Sequence, residues 1–202
     1  MKEPRESHTL YLASGNAGKL KEFQVLAENS RKNWQLELLP DYAKLPEFEE
    51  SAPTFAENAA GKAFYYSRRS YGIVFADDSG LVVPALGGAP GVLSARYAGQ
   101  GARNEQKIAK LLFEMKGLEG ANRNAYFVCV IAAVRNGRAV AVVSEKVDGE
   151  ILEAPRGSEG FGYDPVFFFP PLGKTFAELR AEEKSQHSHR GKAFRRLLEV
   201  LQ

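Results

Sequence analysis

Hydrophobic residues along this chain change period several times, and each change marks an element. "HTLYLAS" (8–14) is a first strand that ends at Ser14. After "GNAG", the segment "KLKEFQVLAENSRK" places Leu20, Phe23 and Leu26 or Ala27 on one face, which is the spacing of a helix. "WQLELL" alternates as a strand does, and "DYAKLPEFEESAP" is loop. Thr54 with Glu57 three residues on is a capping box, opening a helix that runs to about Tyr71. "GIVFAD" predicts a buried strand, Ser79 and Gly80 a turn, and "GLVVPAL" a second short strand. "GGAPG" is a turn or loop, and Asn104 caps a helix from Glu105 to about Met115.

The strongest hairpin signal joins "AYFVCVIAAVR" to "RAVAVVSEKVDGE" through Asn136 and Gly137. Both strands are apolar on two faces in their middle, so a helix layer or a subunit partner should cover each face. A Gly-rich stretch, "RGSEGFGYDP", leads to "VFFF", which Pro170 and Pro171 stop. Ser188 caps a final helix, "HRGKAFRRLLEVL". Early alternation of strands and helices with a later long hairpin predicts an α/β fold with a mixed sheet. The 202 residues form one domain with a substantial core.

Charge and cysteine usage narrow the classes. A net charge of +2 gives no general electrostatic footprint for nucleic acid. Cys129 is the only cysteine, so no intramolecular disulfide can form, which suits a reducing compartment. Its neighbours Val128 and Val130 mark it as an inert buried thiol. The longest apolar run, Tyr126 to Val134, is too short to span a bilayer as a helix, and "MKEPRESHTL" has no apolar signal core. The expectation is a cytoplasmic protein that binds neither membrane nor nucleic acid.

Five stretches carry candidate chemistry. In "SGNAGKLKE" a strand runs into a small-residue turn, Ser14, Gly15, Asn16, Ala17 and Gly18, and then a helix whose first turn holds Lys19. A cation at a helix N-terminus opposes the macrodipole unless an anion shares the site, and phosphate is the natural candidate. The spacing is not that of a Walker A loop. In "FADDSG" the adjacent carboxylates Asp77 and Asp78 point to opposite faces of an extended chain, so they should do different work. One braces the scaffold; the other, with Ser79 beside it, reaches a site at the strand end. Glu49, Glu50 and Asp78 together could make an oxygen site for Mg²⁺. The helix after Thr54 also carries Lys62. Phe161 and Tyr163 in "GFGYDP" either lay a ring against a base or plug the core. His189 and Arg190 repeat the cation-at-helix-start pattern, with Lys184 just upstream; Arg195 and Arg196 read as a surface basic face.

Taken together, "SGNAGKLKE", "EESAPTFAENAAGKA", "FADDSGLVVPALGGAPGVLSARYAG", "GFGYDPVFF" and "EEKSQHSHRGKAF" closely resemble the Ham1/RdgB inosine triphosphatase family, from about Thr9 to Leu198. The resemblance implies a long mixed sheet flanked by helices, two lobes with a central cleft, and a homodimer. It implies Mg²⁺-dependent hydrolysis of non-standard purine nucleoside triphosphates (ITP, dITP, XTP) to the monophosphate and pyrophosphate. By the same resemblance, Ser14 to Lys19 grip the triphosphate and Lys62 faces the phosphates. Asp78 is the metal-associated general base with Ser79 beside it, and Glu50, with Glu49 as the alternative, helps hold the metal. Phe161, Gly162, Tyr163, Asp164, Lys184, His189 and Arg190 hold the nucleoside, with Arg190 a fixed donor that rewards a purine O6. Ala52 stands where the family pattern usually has Gly. Three alternatives stay open from sequence: a pyrophosphatase for another nucleotide class, a non-catalytic nucleotide sensor, and an RNA-binding or structural protein.

Overall fold

A computed structural model describes residues 8–28, 34–70 and 72–201. The strands are β1 (His8–Leu12), β2 (Trp34–Leu38), β3 (Ile73–Val82), β4 (Asn124–Arg135), β5 (Arg138–Ile151), β6 (Phe167–Phe169) and β7 (Lys174–Thr175). The α-helices are α1 (Ala17–Glu28), α2 (Phe55–Ser67), α3 (Asn104–Glu114), α4 (Ala181–His187) and α5 (His189–Val200). The strands form one open seven-stranded sheet in the order β2-β1-β3-β4-β5-β6-β7. β1 is parallel to both β2 and β3, and β6 is antiparallel to β5 and β7, so the sheet is mixed, as expected. The predicted continuation of α1 to Lys32 falls outside the described residues, whereas α2 stops at Ser67, with Arg68 and Arg69 in a turn, four residues short of the predicted Tyr71.

The chain divides into two compact units. The first holds residues 1–78, 130–144 and 190–202. Its core includes Ala13, Leu39, Val74, Ala76, Val130, Ala132 and Val134, with Ala59, Ala63 and Tyr66 of α2 packed against them. The small residues on α2 let the helix lie close. A second focus joins α1, β3 and α5 through the rings of Phe23, Phe75 and Phe194, with centroids 5.1–5.7 Å apart. On α5, Ala193, Phe194, Leu197 and Leu198 face inward while Arg195 and Arg196 are exposed, which is the surface basic face read from the sequence.

The second unit holds residues 79–129 and 145–189. Leu81, Ile108, Leu111, Met115, Phe127, Val147 and Ile151 pack there with the rings of Phe167, Phe169 and Phe176. Arg123 ties this unit's backbone together. Its guanidinium donates to the carbonyls of Met115 (3.4 Å), Leu118 (3.1 Å), Ile151 (2.6 Å) and Leu152 (2.9 Å).

Three local expectations need correction. Ser79 and Gly80 do not turn the chain: β3 runs unbroken from Ile73 to Val82 and merges two predicted strands. Asp-Asp-Ser-Gly has turn composition, but the ladder partners flanking β3 in the sheet outweigh that local preference. The hairpin turn at Asn136 and Gly137 forms as predicted, with φ of 51° and 72°. Its strands, however, are not covered alike. β4 is buried almost throughout, whereas β5 alternates and leaves Val140 and Val142 exposed. Finally, α4 was missed, because seven mostly polar residues carry little periodic signal. No helix among the described residues is long and apolar enough to cross a membrane.

Candidate active site

The first unit gathers its ionic groups around Asp77 and Asp78. Because both lie inside one extended strand, their side chains alternate across the sheet. Asp77 is wholly buried. Lys19, in the first turn of α1, reaches its carboxylate at 2.9 Å and its carbonyl oxygen at 3.5 Å. The Nε of Arg190, in the first turn of α5, lies 3.6 Å from the same carboxylate, and its other arm donates to Glu22 of α1. Burial alone would raise the Asp77 carboxyl; Lys19, Arg190 and Lys62 outweigh it and hold the group well below the usual carboxylate range. The anion that both helix-start cations demanded is therefore supplied, at least in part, by the protein itself.

Asp78 is in a different state. Burial first, and then the charge of Glu50, push its carboxyl up to about 6, against the opposing influence of Lys19, the Asn58 amide and Lys62. Asn58 donates to Asp78 Oδ2 at 3.0 Å. Lys62 donates to Glu50. Burial works against the charge on Lys62, but Asp77, Glu50 and Asp78 outweigh it and raise the ammonium. Asn58 and Lys62 lie four residues apart on the buried face of α2, so one helix aims both groups at this neighbourhood.

The stretch from Ser14 to Lys19 caps α1. Asn16 Oδ1 accepts from the Lys19 N–H at 3.1 Å, which makes Asn16 the N-cap, and the Asn16 N–H donates to Ser14 Oγ at 3.2 Å. Ser14 is buried, while Gly15, Asn16 and Ala17 are exposed and Gly18 half-exposed at the helix start. Ser79 follows Asp78 in β3, half-buried. Between the two loop glutamates, Glu50 is the one that reaches Lys62 and the field of Asp78; Glu49 is exposed.

Oxygen donors from Glu50 and Asp78 fit Mg²⁺, which takes one or two carboxylates and completes its shell with water and phosphate. Burial first and then the Glu50 charge disfavour the ionised Asp78, and a divalent cation would offset both. Among the described residues, no cluster of three or more His, Cys, Asp or Glu forms a ready-made metal cage.

The remaining predicted residues lie in the second unit. Asp164 accepts from the Phe161 N–H (2.8 Å) and from Lys184 (2.6 Å), in a buried ion pair. Lys184 also sits 4.9 Å from the centre of the half-buried Phe161 ring. Gly160 has φ of 74°, and a Cβ there would fall 2.2 Å from Asp164 Oδ2, so the turn requires glycine. Gly162, with φ of 66°, completes that turn. Tyr163 is the core plug of the pair: it is buried, and its hydroxyl donates to the Ser94 carbonyl at 3.0 Å. His189 is buried with its ring stacked on Phe127, 4.7 Å between centroids and 13° between planes.

Arg190 belongs to the first unit, where it pairs with Glu22 and Asp77.

A sequence model of the Ham1 family matches residues 10–200. The chain belongs to the Ham1 family. A relative from Geobacillus kaustophilus, named dITP/XTP pyrophosphatase, is 50% identical over 93% of this chain and 91% of its own length. One of the same name from Thermus thermophilus is 50% identical over 94% and 89%. The solved Ham1 protein of Staphylococcus aureus superimposes with a TM-score of 0.83 at 38% identity, covering 96% of this chain and 97% of that one.

Two residues of this ionic cluster escaped the sequence reading. Glu22 is separated from its partner Arg190 by 168 residues, and nothing local announces that pair. Asn58 did leave a signal, as an amide on the apolar face of α2 one turn before Lys62.

Proposed function

We propose that this protein hydrolyses non-standard purine nucleoside triphosphates, ITP, dITP and XTP, to the monophosphate and pyrophosphate, with Mg²⁺. The carrying observation is the arrangement of neighbouring carboxylates: Asp77 is buried and paired with Lys19 at 2.9 Å and Arg190 at 3.6 Å, while Asp78, the next residue along β3, is held by Asn58 at 3.0 Å with the Lys62–Glu50 pair on the same helix and loop. A carboxylate placed beside a metal-held water is in position to orient it and take its proton. The names of the relatives from Geobacillus and Thermus support the same reading.

In this mechanism water attacks the α-phosphorus and Asp78 takes its proton. The bond from the α-phosphorus to the α–β bridging oxygen breaks, and pyrophosphate leaves with the charge. Lys62, buried and cationic, faces the polyphosphate and offsets that charge. The capped start of α1 offers backbone N–H groups to a phosphate. Lys19 acts from beside Asp77, as half of an ion pair rather than as a lone grip. Mg²⁺, held by Asp78 and Glu50, would supply charge neutralisation of the phosphates. Phe161, set by Asp164 and Lys184, is the ring available to a purine.

The test is turnover of ITP, XTP, dITP, ATP and GTP with Mg²⁺, scoring pyrophosphate against orthophosphate. ITP, XTP and dITP should release pyrophosphate with higher kcat/KM than ATP or GTP. Orthophosphate as the product, or a preference for ATP, rejects the proposal. A homodimer, which the family resemblance implies, belongs to the same proposal, as does the cytoplasmic setting expected from the composition; a monomer in sedimentation equilibrium would remove the dimer from it.

A further inference from the structure

The loop bearing the two glutamates is stitched onto α2 at both ends. On one side the Tyr66 hydroxyl accepts from the Phe48 N–H (3.0 Å) and donates to the Pro46 carbonyl (3.1 Å). There the Phe48 ring fits against Gly61, where a Cβ would lie 2.6 Å from it. On the other side Asn58 grips Ala52. Asn58 Oδ1 accepts from the Ala52 N–H (3.0 Å), and Nδ2 donates to the Ala52 carbonyl (3.2 Å). Glu50 lies between these clips.

The Ala52 backbone also decides which way the amide faces. An N–H can only be met by the amide oxygen, so the NH₂ end must turn toward Asp78, where it donates at 3.0 Å. Asn58 is 1% exposed, so water does not offer it substitute partners. One side chain thus fixes the loop that carries Glu50 and the direction of the Asp78 carboxylate.

We propose that Asn58 is the positioning residue of the site, holding Glu50 and Asp78 in register for a divalent cation. The proposal rests on the metal-assisted reading above. Partners of this outer kind typically change metal affinity or activity by about 10- to 100-fold when removed.

The experiment compares wild type, Asn58→Ala and Asn58→Ser. Mn²⁺ binding is followed by electron paramagnetic resonance, without nucleotide and with pyrophosphate, alongside kcat and KM for ITP. Serine keeps a small polar group in the buried site but is too short to bridge Ala52 and Asp78 as the amide does, so it removes the bridge without leaving an apolar cavity. Both variants should bind Mn²⁺ about 10- to 100-fold more weakly and lose kcat while KM for ITP stays near wild type. If Asn58→Ala does not fold, Asn58→Ser decides. Wild-type Mn²⁺ affinity and kcat in a folded Asn58→Ser protein overturn the proposal, as does wild-type protein that binds no Mn²⁺ under either condition. Should wild type bind Mn²⁺ but hydrolyse no triphosphate, the functional reading fails, and the Mn²⁺ comparison still judges Asn58.

Discussion

Asp77→Asn tests the electrostatic frame most directly. The substitution keeps the shape and removes one buried charge, leaving Lys19, 2.9 Å away, and Arg190, 3.6 Å away, without their shared counter-ion. Breaking a buried pair from one side costs about 3–5 kcal/mol. For a chain of this length each kcal/mol moves Tm by about 2–4 °C, so the variant should melt about 6–20 °C lower at pH 7. The pH dependence has a definite sign. Asp77 is depressed in the folded protein, so its contribution is fully present above the unfolded carboxyl value of about 3.9 and fades as pH falls through the folded one. The gap between wild type and variant should therefore be widest near neutrality and shrink well below pH 4. Melts at a series of pH values measure it, with Asp148→Asn as the control. That exposed pair with Lys146 should contribute no more than about 1 kcal/mol. A variant as stable as wild type at pH 7, or a gap that does not narrow in acid, would refute the reasoning.

Asp78→Asn should abolish pyrophosphate release while the melt and nucleotide binding by calorimetry remain; near-normal turnover would remove Asp78 as the base. Arg190→Ala should lower Tm, through loss of Glu22 and Asp77 as partners, and narrow the ITP-to-ATP ratio of kcat/KM. An unchanged ratio would remove Arg190 from base reading and leave it a purely structural cation. Arg123→Ala strips donors from four carbonyls of the second unit, each worth about 1 kcal/mol. Urea unfolding should register a loss of about 3–4 kcal/mol, with kcat at a permissive temperature unaffected.

What the sequence made legible was whatever depends on near neighbours. The Thr54–Glu57 cap formed, with Thr54 accepting from the Glu57 N–H, because its partners are three residues apart. The Asn136–Gly137 turn formed because only its own φ angles matter. That Asp77 and Asp78 face opposite ways was also legible, since alternation in a strand is local. Ser79–Gly80 misled because its environment is set by neighbouring strands rather than by its own preferences. The carboxylate partners of Arg190 were not legible for a related reason: they come from α1 and β3, far away in the chain. Tyr163 had two readings from composition, and only the position of the Ser94 carbonyl separated them.

On the proposed function, the charge inventory favours a divalent cation over more lysine. Lys19, Arg190 and Lys62 sit among Asp77, Glu22 and Glu50, one carboxylate for each cation, and an ionised Asp78 adds a further negative charge. A polyphosphate brought to such a balanced neighbourhood meets no surplus of positive charge. Those cations serve first to keep the buried Asp77 ionised and the starts of α1 and α5 anchored to β3. Mobile charge must then arrive with the substrate, and Mg²⁺ bound to phosphate oxygens is charge of that kind. It follows that adding positive charge should not replace the metal. Glu50→Lys should abolish Mg²⁺-dependent turnover instead of making it metal-independent, and turnover by that variant in EDTA would overturn this account.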